Sequence, residues 1–191
     1  MDFSEDTHCQ GKYSKLSFSD ETVKSKYFEE CVFDGCTFVQ CKFEKCTFID
    51  CRFNESLLSA IQPFNSRFIN VIFTKSKVTG FDWTKAKELQ DLVFDGCQIN
   101  YSNFSLMKMP KTKMVNCEAK EVEFIETDLS NGDFKNTDFE NSRFFKTNLS
   151  GADFRGAINY FIDVKNNILK NAHFSLPEAL VLLDSLDIVI D

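Results

Sequence analysis

The chain has 191 residues, enough for one domain or one continuous repeat array with a substantial core. Twenty-two Phe stand against seven Gly, three Pro and one Trp, which points to a core rebuilt many times along the length. A net charge of −7 argues against a general binder of nucleic acid or anionic membrane, since either needs a basic face, but it permits a partner with a basic groove of its own.

The N-terminal stretch MDFSEDTHCQGK is acidic and lacks the apolar segment of a signal peptide. No apolar run approaches the roughly 20 residues that span a bilayer. The expectation is a cytoplasmic protein with no membrane partner, whose eight Cys stay reduced.

From Tyr13 a large apolar residue recurs every fifth position: Phe18, Val23, Phe28, Phe33, Phe38, Phe43, Phe48, Phe53 and Leu58. The frame runs through Pro63 to Phe68, Phe73, Val78 and Trp83, and resumes one residue late at Phe94. It continues as Ile99, Phe104, Met109, Met114, Ala119, Phe124, Leu129, Phe134, Phe139, Phe144, Leu149 and Phe154. Asn159, Val164, Leu169 and Phe174 are weaker members. Neither the helical nor the strand period gives a repeat of five. Two residues before each large one sits a small one, Cys31, Cys36, Cys41, Cys46 and Cys51 being the longest run. Strand alternation turns both inward. Gly or Asn at Gly35, Gly80, Gly96, Asn116, Asn131, Asn136, Asn141, Gly151 and Gly156 suits a corner that needs positive φ.

The C-x4-C spacing of the Cys run is not that of a zinc site, and each thiol falls in the small inward slot. A reduced core is the reading; a redox or metal role is the alternative. His8 and His173 are placed to form no nucleophile–base pair, and no phosphate loop, dinucleotide fingerprint or HExxH occurs. No enzyme, cofactor or metal is expected.

Between Trp83 and Phe94 lie one residue more than two repeats. The polar segment 84–91 is read as a short projecting loop, and Lys85, Lys87, Glu88, Gln90 and Asp91 become candidate partner contacts. The alternative is a bulge that keeps Leu89 inside. Ile61-Gln62-Pro63-Phe64 and Met107-Lys108-Met109-Pro110 read as distorted coils that stay in frame. Carboxylates crowd the stretch Glu118, Glu121, Glu123, Glu126, Asp128, Asp133, Asp138 and Glu140 against only Lys120 and Lys135. At the C-terminus Ser175-Leu176-Pro177-Glu178 reads as a capping box that opens an α-helix, followed by Ile188, Val189 and Ile190 as a short strand. The helix is apolar over too wide a face for one contact. It either seals the last coil or forms a two-fold homodimer, with Tyr160, Phe161, Leu176, Leu180, Leu183, Leu186, Ile188 and Ile190 as interface candidates and Ile158, Tyr160 and Phe161 exposed.

The stretch TDLSNGDFKNTDFENSRFFKTNLSGADFRGA, residues 127–157, resembles the A(D/N)LXX consensus of pentapeptide-repeat proteins. The resemblance implies an all-β fold, a right-handed quadrilateral β-helix of about 20 residues per coil. About eight coils at ~4.8 Å spacing would make a rod near 40 Å long. The β-helix would occupy 1–174 and the terminal module 175–191. On four sides, Glu118, Glu121, Asp138 and Glu140 share one side, with Glu123 and Glu126 flanking it. Such a stripe could imitate the charge of duplex DNA, or be an ordinary solvated face.

The terminal sequence Asn159-Tyr160-Phe161-Ile162-Asp163 and HFSLPEALVLLDSLDIVID, with Phe81-Asp82-Trp83-Thr84-Lys85-Ala86, is similar to the albicidin-resistance, microcin-immunity and Qnr quinolone-resistance group of the family. That similarity implies a dimeric rod that mimics DNA, binds DNA gyrase or topoisomerase IV and protects it from poisons such as albicidin or quinolones. No direct binding of nucleic acid is expected. The alternative is a non-enzymatic interaction scaffold for an unrelated cytosolic partner.

Overall fold

Strands of three residues repeat along the chain, and the backbone turns a corner after each. The computed structural model describes Phe3, residues 5–186 and Ile188. It is a four-sided β-solenoid. The first side starts at Thr7–Cys9, the second at Lys12–Ser14, the third at Ser17–Ser19 and the fourth at Thr22–Lys24. Each side meets itself one coil later in parallel register: Thr7 with Tyr27, Lys12 with Val32, Ser17 with Thr37, Thr22 with Lys42. On the first side the series runs on through Thr47, Arg67 and Glu88 as strands, breaks off there, and resumes with Lys108, Asp128, Asn148 and Ile168 as bridge partners.

The fivefold apolar residues fill the axis. Phe33, Phe53, Phe73 and Phe94 stack with centroids 4.5, 5.1 and 4.9 Å apart, close to the strand spacing. Rings on adjacent sides meet edge to face, as Phe33 and Phe38 do at 6.2 Å. Phe3 plugs the N-terminal end, 5.1 Å from Phe28 and 5.3 Å from Phe18.

The small inward slot has a polar duty beyond its size. Ser66 Oγ donates to the Phe43 carbonyl of the preceding coil at 2.8 Å and accepts the Cys46 N–H at 2.9 Å. Cys46 Sγ reaches the Val23 carbonyl at 3.2 Å. Cys, Ser and Thr recur there because each is small and can donate to a carbonyl that burial has removed from water.

The corners hold positive φ as expected, but far more residue types tolerate it than Gly and Asn. Lys15, Glu30, Glu55 and Ala60 all lie between φ 47 and 55. Each corner N–H donates to the next coil, for instance Lys15 N to the Asp34 carbonyl at 2.9 Å, which offsets the left-handed strain of about 1 kcal/mol.

Three expectations are corrected. Residues 84–91 do not project as a loop: Trp83–Lys85 form a 3-10 turn, and Glu88–Gln90 pair with Arg67–Ile69 with Leu89 buried opposite Phe68. One extra residue is too few to leave a coil whose neighbours are locked in register, so it is absorbed as a bulge. The C-terminal helix, Glu178–Leu186, is a 3-10 helix instead of an α-helix. Ser175 does not cap it by its side chain: its Oγ accepts the Gly156 N–H at 2.9 Å, fastening the module to the coil before. Tyr160 is buried, because Asn159 turns the corner at φ 56 and Tyr160 takes the inward place, 5.8 Å from Phe154 and 5.7 Å from Phe174.

Candidate interaction surfaces

The acidic residues gather as the four-sided geometry requires. Gln98, Glu118, Asp138 and Ile158 are bridge partners in series on the third side, with Glu121 and Glu140 joined through the Glu121 N–H to the Glu140 carbonyl at 2.9 Å. Glu123 and Glu126 lie on the adjoining fourth side, where Glu123 bridges Asn103. The stripe is less negative than its residue count. Lys120 reaches Asp138 at 3.3 Å and Glu140 at 2.8 Å, and Lys146 reaches Glu126 at 3.3 Å. Glu118 and Glu121 form no ion pair among the described residues; Glu118 accepts from the Asn100 amide. Burial would raise the Asp138 carboxyl, but the Asn159 amide, the Glu140 N–H and Lys120 together hold it below its ordinary value. The hydrogen bonds that Lys120 donates to Glu140 and Asp138 raise its ammonium, so Lys120 stays charged and offsets part of the stripe.

The segment 85–91 sits elsewhere. Lys85 ends the 3-10 turn, 3.9 Å from Asp82, and Glu88 on the first side lies 3.5 Å from Arg67. Gln90 Nε2 donates to Asp91 at 3.1 Å. Lys87, Glu88 and Gln90 are thus on the side opposite the acidic stripe, and one flat partner surface cannot touch both. Sequence order alone hid this, since opposite sides are only ten residues apart in each coil.

Next to that segment the first side comes apart. No backbone hydrogen bond joins Glu88–Gln90 to Lys108–Lys111 among the described residues, although the second side stays paired between Val93 and Lys113. Met107 occupies the slot that in other coils of this side holds Cys46, Ser66, Thr127 and Thr147, and Pro110 has no N–H to donate. A cavity of about 650 Å³ opens between the coils, lined in part by Ala86, Leu89, Leu106, Met107 and Pro110. Leu106, well exposed, occupies a corner there, whereas Tyr101, also exposed, is a corner on another edge, one coil before Glu121. They escape a reading that follows only the inward columns; tracing the corner column every twenty residues would have found them.

At the C-terminal end Val181 and Leu182 pack on the core, while Leu176 is 76% exposed, Phe161 58%, Leu180 52% and Ile188 53%. Leu186 is also exposed and Leu183 half-buried. The terminal module therefore seals the last coil and still presents an apolar face. Tyr160, an interface candidate, faces the core, where burial and then Glu178 push its phenol up to about 12. Ile190 lies outside the described residues.

None of the described His, Cys, Asp and Glu residues cluster as a metal site, and no described helix is long and apolar enough to cross a membrane.

A model of the pentapeptide repeat region matches residues 21–104, and a model of eight copies of the pentapeptide repeat matches 123–158. The chain is a pentapeptide-repeat protein. No curated protein matches it in sequence. Among solved structures, trypsin-treated QnrB1, a plasmid-mediated fluoroquinolone resistance protein, matches this pentapeptide-repeat protein with a TM-score of 0.59 at 16% identity, over 97% of this chain and 91% of that one. HetL, a pentapeptide repeat protein involved in heterocyst differentiation regulation from the cyanobacterium Nostoc sp. strain PCC 7120, matches with a TM-score of 0.39 at 12% identity, over 89% and 90%. At these identities the likeness concerns the fold alone.

Proposed function

We propose that this pentapeptide-repeat protein binds DNA gyrase, and topoisomerase IV by the same mode, and protects it from poisons that act on the enzyme–DNA complex. The observation that carries the reading is the carboxylate stripe. Glu118, Glu121, Asp138 and Glu140 stack on one side of a narrow rod, at a spacing set by the parallel strands. A rigid row of negative charge fits the basic surface on which a topoisomerase holds duplex DNA, and it attracts that surface over a Debye length before contact. Similarity of the terminal sequence to the resistance group supports the same partner and a homodimer through the exposed apolar face of the terminal module. Binding would compete with DNA or displace the drug, with no covalent step.

The test is gyrase supercoiling with albicidin or a quinolone, with and without the purified protein. Restored supercoiling that fades with added salt is expected. Replacing Glu118 and Glu121 by Gln should weaken protection about tenfold, as the loss of steered, charge-paired contacts implies. Absence of both gyrase binding and protection refutes the reading.

A further inference from the structure

The residue inserted between Trp83 and Phe94 changes what the surface can bind. The Lys87 N–H takes the Ser66 carbonyl at 2.8 Å, whereas Glu88 is the residue in register with Arg67. Two residues thus oppose one, and the Lys87 side chain is turned out to solvent instead of filling the inward slot. It meets side chains from the two preceding coils. Lys45 and Asn65 are successive corners, tied through the Lys45 N–H to the Phe64 carbonyl at 2.8 Å, and Thr47 is the cross-strand neighbour of Arg67.

These five residues line a depression of about 280 Å³ that contains no carboxylate among the described residues. Lys45 and Lys87 form no ion pair among the described residues, and Arg67 engages Glu88 only through Nε at 3.5 Å. The terminal guanidinium nitrogens therefore remain as donors. Three cations converge on one concavity in a chain of net charge −7. Holding like charges within a few strand spacings is unfavourable until an anion is shared between them.

We propose that this corner is a binding site for a compact phosphate-type oxyanion. Arg67 offers a planar fork to two oxygens, Lys45 and Lys87 act as point charges on either side, and Thr47 and Asn65 add neutral donors. The surroundings select against an extended polyanion. Glu44 and Glu88 flank the depression, and Glu30 and Asp50 stand along the far edge of the first side, where they would repel a phosphate backbone. The site faces away from the carboxylate stripe and does not depend on the topoisomerase reading.

Calorimetric titration of the full chain with inorganic phosphate, pyrophosphate and a short DNA duplex at low ionic strength tests this. Saturable pyrophosphate binding, tighter than phosphate and weakened by salt, is expected. Arg67→Gln and Lys87→Gln should each bind about tenfold more weakly, the loss of one charge-assisted hydrogen bond. Lys113→Gln, on the second side, should bind as the parent does. All three side chains are partly or fully exposed, and circular dichroism checks that each variant keeps its fold. No saturable binding, binding unchanged in R67Q and K87Q, or duplex bound more tightly than pyrophosphate would overturn the proposal.

Discussion

The slot two residues before each stacked ring must be small enough to fit inside the coil and polar enough to answer a buried carbonyl. Cys does both, and the cost to its chemistry is visible. Burial, outweighing the backbone hydrogen bonds it makes, pushes the Cys46 thiol up to about 11 and the Cys51 thiol up to about 12. Cys9 alone is exposed among the eight free thiols. At about pH 8, iodoacetamide followed by mass spectrometry should find Cys9 labelled rapidly and Cys31, Cys36, Cys41, Cys46 and Cys51 scarcely at all. Equal labelling of Cys36 and Cys9 would refute a closed core. The pH dependence has a definite sign. Folding favours the neutral thiol, so its contribution is full below the ordinary value of 9.0 and is lost as pH climbs toward 11 and 12. The sequence shows that these residues point inward, since period and alternation fix that. It does not show that they bond to the coil before, because the partner lies twenty-three residues away.

An individual coil is set by what its slots will accept. Gly132 occupies an inward slot, and a Cβ there would lie 2.5 Å from the Phe134 ring. Gly132→Ala should therefore destabilise the fold by about 1–3 kcal/mol, by overpacking, as measured in urea denaturation. A change within about 0.5 kcal/mol would mean that the ring moves aside. Where a slot receives the wrong residue the coil yields instead, as at Met107, beside which the first side loses its ladder. The inserted residue at 84–88 belongs to the same scale. Its presence is plain in the sequence as a slip of frame. Whether it becomes a loop or a bulge is decided by Leu89, which gains more from the core than a projecting segment would gain from solvent. Tyr160 follows the same logic: the frame assigns Asn159 to the core, but the aromatic residue beside it wins the place.

Across the whole molecule, the two candidate surfaces and the two ends are separate. The carboxylate stripe and the cationic corner face different ways, and the C-terminal end carries the exposed Leu176, Phe161 and Leu180. If that end forms the homodimer, replacing Leu176 and Leu180 by Glu should convert a dimer to a monomer in light scattering, with circular dichroism unchanged. A parent chain that is itself monomeric at micromolar concentration would refute the dimer.

What the sequence determined by itself is everything that repeats. The fivefold period, the inward pair and the corner residues are local and redundant, so many copies vote for one geometry. The tertiary structure alone decided how columns that are distant in sequence face each other. It set the side that carries Glu118 and Asp138 opposite Lys87, and gathered Lys45, Arg67 and Lys87 around one depression. A single-residue slip and a displaced corner are resolved by competition for the core, and that competition involves neighbours one full coil away.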